Sequence, residues 1–170
     1  MLAAGQGCEP ATLYWTGADG RCQAAVVLAP HRAVEPGLLL DLGLLALFDA
    51  LAVLAPPQMP LAVRHPDGIT VDGARAATVR AVEGDGADWA VLGFDVAIRS
   101  GHAAPGEVPD HTCLVEEGFG DIAPAELLEH WCRHLLGWVD AWLDDGAGPL
   151  SRAVDQRAGE GRGAARLEAA

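Results

Sequence analysis

Two kinds of hydrophobic pattern alternate along this chain: short apolar runs bounded by Pro and Gly, and long stretches at helical spacing. Gln23–Ala29 (QAAVVLA) is a β-leaning apolar run ended by Pro30, and it reads as a buried strand. From about Glu35 to Leu54 the chain turns Leu-rich, with Pro36 in the opening turn and Pro56-Pro57 as the stop, which predicts a long helix. Pro60–Arg64 reads as a short strand entering the turn His65-Pro66-Asp67-Gly68. Ile69-Thr70-Val71 then alternates into Asp72-Gly73, a strong hairpin signal, and Ala74–Val82 is the return strand. After the polar loop Glu83–Ala87, Trp89–Ile98 (WAVLGFDVAI) is a further strand, so short turns join these strands into an antiparallel meander. Ser100–Asp110 is a loop rich in Pro, Gly and His. From Pro124 to Asp144 large apolar residues from Leu127 to Trp142 recur at helical spacing, and Gly146 marks the stop. The stretch 151–170 has few large apolar side chains and reads as a frayed polar tail beyond a domain spanning 1–150. The expected fold is α+β, a mostly antiparallel mixed sheet with helices packed on one face.

Composition narrows the function classes. A chain of 170 residues, 51% hydrophobic, is long enough for one domain with a real core. Its formal charge of −13 opposes phosphate backbones and anionic headgroups, so neither nucleic acid nor a membrane surface is an expected partner. All eleven cations are arginine and none is lysine. Met1–Thr12 has no basic region followed by an apolar one, which points to a cytoplasmic protein. Gly37–Ala55 is apolar enough to raise the question of a membrane span, but Asp41 and Asp49 interrupt it without a basic residue nearby in sequence. A core helix with one wet stripe is the expectation. Cys8, Cys22, Cys113 and Cys132 have no paired spacing and read as reduced thiols.

Five segments, in order, carry a resemblance. They are GRCQAAVVLAP (Gly20–Pro30) with the Leu-rich helix after it, RHPDGITVDGARAATVR (Arg64–Arg80), WAVLGFDVAI, HTCLVEEG (His111–Gly118), and Ala125–Leu150 ending in GAGPL. From about Gly20 to Val154 the chain resembles the catalytic domain of the biotin/lipoate protein ligase family. The segments are similar to that family's strand after the biotin loop, its Lys-Trp-Pro-Asn-Asp turn with the catalytic-lysine strand, its Gly-Ile-Gly-Ile-Asn strand, its Ala-Thr-Ser-Leu segment and its closing helix. The resemblance implies activation of a small carboxylic acid with ATP, usually with Mg²⁺, and transfer of the acyl group from its adenylate to a lysine of a carrier protein. It also implies a homodimer formed through a sheet edge.

The resemblance implies a ligand site at Arg64, His65, Asp67, Gly93 and Asp95, with Arg75 at the position of the family's catalytic lysine. Departures are concentrated there. Arg64 stands for the turn lysine, keeping the charge but not the compact ammonium, and Arg75 presents a planar guanidinium that does not deprotonate. Asp95 and Ala97 replace the second glycine and the asparagine of the Gly-Ile-Gly-Ile-Asn strand. The Gly-Arg-rich loop expected before Gly20 is matched only by Leu13–Asp19, which carries no cation. Two function classes follow: a ligase-like protein that binds or adenylates a biotin-like or lipoyl-like acid, and a catalytically inactive ligase-fold module for binding or dimerisation.

Other constellations compete. His130 and His134 are spaced for zinc, with Glu129 and Cys132 beside them, but their order is not that of a His-Glu-x-x-His helix and no third ligand is evident, so no metal is expected. Cys113 with His111, His102 and Asp110 has the makings of an acyl-holding nucleophile, against the reading of a buried thiol.

Overall fold

The computed structural model describes residues 9–29, 34, 36–83, 89–100, 108 and 110–167. Cys8, His102 and most of the two loops at 84–88 and 101–109 lie outside them. Six strands form one sheet in the order β1-β2-β6-β5-β4-β3, from β1 (Leu13–Thr16), β2 (Arg21–Leu28), β3 (Leu61–Arg64), β4 (Gly68–Val71), β5 (Ala74–Glu83) and β6 (Ala90–Ala97). All strand pairs are antiparallel. The expected mixed character reduces to one isolated parallel bridge, Arg75 with His111. Asp72 and Gly73 turn the β4–β5 hairpin with φ of 48° and 84°, the positive values that a type I′ turn requires at both central residues.

Among the described residues three helices cover one face: α1 (Pro36–Leu54), α2 (Pro124–Asp145) and α3 (Gly148–Leu167). Leu42, Leu44, Leu45, Leu47 and Leu51 of α1 are almost completely buried, so the apolar stretch that raised the membrane question is a core element packed against the sheet, α2 and α3. A Cβ added at Gly43 would lie 2.6 Å from Val79 and 2.8 Å from Leu92, which shows how closely α1 lies on β5 and β6. Trp131 anchors α2 to β6 through an edge-on contact with Phe94, ring centroids 4.9 Å apart.

The segment expected to be a polar tail is α3. Leu150 and Val154 enter the core and Arg157 completes a polar contact inside the helix layer, so the domain continues past 150. The two α1 carboxylates explain its placement. Asp49 accepts from Arg157 at 2.8 Å and from Trp138 Nε1 at 2.8 Å, and the same guanidinium lies 5.2 Å from the Phe48 ring and 5.4 Å from that of Trp138. Asp41 accepts from Ser151 at the start of α3. What sequence presents as one wet stripe is therefore the docking line for α2 and α3.

Removing the Arg157 side chain strands Asp49 in a half-closed layer. Arg157→Ala should cost about 3 kcal/mol, a Tm drop of about 6–12 °C for a domain of this size, whereas Arg152→Ala on the exposed side of α3 should stay within about 0.5 kcal/mol. Urea unfolding of the two variants checks this. Asp41 behaves oppositely. Burial pushes its carboxyl above the ordinary 3.8, only partly offset by Ser151 and His65. The folded state thus favours the protonated form, and stability falls as pH rises through the carboxylate range. Asp41→Asn should raise Tm at pH 7, with the two melting points converging as pH falls below 3.8.

Candidate functional site

Because directly paired residues share a face, the ladder registers define two surfaces of the sheet. Cys22, Ala24, Ile69, Ala77, Val79, Leu92, Phe94 and Val96 face the helices and are buried in the core. On the opposite, open face a single row crosses all six strands: Thr16, Gln23, Asp95, Thr78, Gly68 and Arg64. The next row runs Tyr14, Ala25, Gly93, Arg80. A third is apolar: Val27, Val91, Val82. The open face is thus a floor of Ala25 and Gly93 with a polar row on one side and a valine row on the other.

The sequence-derived residues converge on this face, with one exception. A register shift at Ile69/Thr70 gives β5 an extra residue, and this bulge turns Arg75 to the side of Thr78. Its guanidinium lies over Gly68, where an added Cβ would come within 2.7 Å of it, and Nη1 pairs with Asp67 at 3.0 Å and reaches Thr78 Oγ1 at 3.5 Å. Asp67 therefore pairs with Arg75 and not across the turn with Arg64. Asp95 is likewise occupied: Arg21 holds one oxygen at 2.7 Å and Gln23 the other at 2.9 Å. The two aspartates therefore belong to separate clusters, Asp67 with Arg75 and Asp95 with Arg21 and Gln23. His65 is the exception, exposed on its turn with Nε2 3.7 Å from Asp155 of α3. Arg21, Gln23, Thr78 and Arg80 complete the site and escape a motif search. The alternation along β2 and β5 was the signal for them, since each stands one place off a core residue.

Among the described residues, Arg64 and Arg80 have no ion-pair partner. Arg64 stands on the edge strand, and Arg80 lies beside Gly93 in the middle of the face. A concavity of about 340 Å³ opens at the end of the sheet, lined by Gly17, Gly20, Arg21, Arg99, Asp121 and Pro124. Both of its arginines already hold carboxylates, Asp95 and Asp121. Cys113 is 2% exposed, which closes the nucleophile reading for the resting fold. No group of three metal-ligating side chains occurs among the described residues, His130 and His134 included.

Residues 1–156 match the family described as biotin/lipoate A/B protein ligase. The chain belongs to that family. Solved structures agree on the ligase fold. A biotin protein ligase-like protein of unknown function from Silicibacter sp. TM1040 is 28% identical with a TM-score of 0.69, the match covering 94% of this chain and 75% of that one. The Aquifex aeolicus biotin protein ligase, solved with biotin and ATP, is 17% identical with a TM-score of 0.67 over 81% of this chain and 58% of that one. The Leishmania major biotin protein ligase with biotinyl-5-AMP is 20% identical with a TM-score of 0.62 over 81% of this chain and 61% of that one. The last two likenesses concern the fold alone, and the chain spans about three fifths of either ligase. No curated protein matches the sequence.

The glycine floor of this ligase-family domain is a backbone constraint. A Cβ at Gly93 would sit 2.6 Å from the Ala24 carbonyl oxygen, which cannot swing away. Gly93→Ala should therefore cost about 2 kcal/mol by chemical denaturation, while Gly68→Ala, which meets only the movable end of Arg75, should cost less than about 1 kcal/mol.

Proposed function

We propose that this family member binds a small carboxylic acid of biotin-like or lipoyl-like size across the Ala25–Gly93 floor, with the carboxylate on Arg80 and the apolar body along Val91 and Val82. The observation that supports this reading is the distribution of charge on the open face. Arg75 and Arg21 are each neutralised by a carboxylate, which leaves Arg80 as the central cation free to meet an anion. A monocarboxylate needs one such partner, and a bidentate guanidinium suits it.

Adenylation asks for more. A triphosphate and its reacting α-phosphorus require several cations, oriented donors and usually Mg²⁺ around two anions. Asp67 and Asp95, described carboxylates at this face, are both held by arginines, and the described residues form no fitting Mg²⁺ site. On this reading the domain retains acid binding and holds ATP poorly, which makes it a ligase-fold binding module. One observation favours residual adenylation: the β5 bulge turns Arg75, which the sequence resemblance matches to the family's lysine, to the open face. A carrier-protein lysine would then be the acceptor, since the chain has no lysine of its own.

Thermal shift with biotin, lipoate, octanoate, ATP·Mg²⁺ and a stable biotinyl-adenylate mimic separates the readings. At a hundredfold excess over Kd the bound acid should stabilise by about 2.7 kcal/mol, a rise of about 5–10 °C, and Arg80→Ala should abolish it. ATP·Mg²⁺ alone should leave Tm unchanged. A rise with ATP·Mg²⁺, or acid binding indifferent to Arg80→Ala, would overturn the proposal.

A further inference from the structure

We propose that α2 is a self-association helix on which a second copy of this chain docks antiparallel. The inference rests on the helix layer and is independent of any ligand on the open sheet face.

Leu127, Leu128, Trp131 and Leu135 turn one side of α2 into the core. A second apolar line runs along its flank: Cys132, Leu136, Val139 and Leu143, spaced four, three and four residues apart. At about 100° per residue these four fall within an arc of about 60°, the narrow seam of a two-helix contact. Leu136 is 67% exposed and Leu143 59%, with Cys132 and Val139 half-buried at the edge of the core. Single exposed leucines are ordinary, but a seam of this period is the pattern that helices use to pair.

Charge along the seam selects the occupant and its direction. Arg133 and Asp140 lie seven residues apart beside the apolar line, at equivalent positions of the repeat. In an antiparallel pair Arg133 of one copy stands against Asp140 of the other, twice by symmetry, while a parallel pair puts this flank of the two copies on opposite sides of the seam, where neither charge meets the other. Arg133 is exposed and now bonds only Glu129, four residues back at 2.7 Å, so it can reach across without giving up a buried contact. The sheet offers less. α3 packs on β3 at one edge, and β1 at the other is four residues long. The homodimer expected through a sheet edge is thus better served by α2. A seam of this length buries less than about 1,200 Å², which sets the association in the weak class, with Kd on the order of 10 µM.

Sedimentation velocity across a concentration series around that Kd tests the proposal on the full chain. The native protein should pass from monomer to dimer, Leu136→Glu should remain monomeric with an unchanged far-UV spectrum, and Arg133→Glu should weaken association about tenfold. Combining Arg133→Glu with Asp140→Arg should restore it. Direction is read by cross-linking in a Cys8→Ser background. Antiparallel packing places Cys132 opposite Leu143 of the second copy, so Leu143→Cys should form an oxidised dimer that the parent does not. A monomer at every concentration, a dimer indifferent to Leu136→Glu, or cross-linking of the parent through Cys132 alone would each overturn the proposal.

Discussion

Burial of α1 is the constraint on which the structure depends. A helix this apolar cannot rest on a sheet with one side in water, so it needs a second layer, and α2 and α3 provide it. Its two carboxylates then decide how that layer docks. Asp49 gathers Trp138 from α2 and Arg157 from α3 into one hydrogen-bonded contact, and Asp41 meets Ser151 at the start of α3. With one face covered by three helices, the other is the face on which the proposed ligand would bind.

That open face combines a backbone frame with a nearly balanced set of charges. The meander, the bulge that re-aims Arg75 and the glycine floor are features of the backbone. The charges differ in kind. Arg21 and Arg75 are each matched by an aspartate on a neighbouring strand or turn, so among the described residues Arg80 over the small-residue floor and Arg64 at the sheet edge are the cations of this face without an ion-pair partner. Exposed pairs of this sort add little stability. Their consequence is electrostatic: they reduce the net positive charge of the face.

Local pattern made most of the frame legible. The strands around Asp72-Gly73 were readable because turn chemistry and period-two alternation agree there, and both long helices because Pro marks their starts. The family was legible from the order of five segments, and the family match bears it out. Other features were not readable. β1 is four residues of an edge, too short for a periodic signal. α3 is rich in Gly and Arg, and its helical state rests on Leu150, Val154 and Arg157 finding α1. Arg157 and Asp49 are 108 residues apart, and Arg21 and Asp95 are 74 apart. Propensity and spacing are local quantities and cannot show such pairs. The same blindness hid the partners of Asp67 and Asp95, which only the strand register reveals.

The central claim is that ligand recognition belongs to the open sheet face. An amide chemical-shift titration with lipoate or the biotinyl-adenylate mimic tests it most directly. The account predicts perturbations concentrated on Gln23, Ala25, Thr78, Arg80, Gly93 and Asp95, with α1, α2 and α3 unmoved. Saturable shifts centred on the helix layer or on the groove beside Arg99, with the Gly93 row silent, would contradict it.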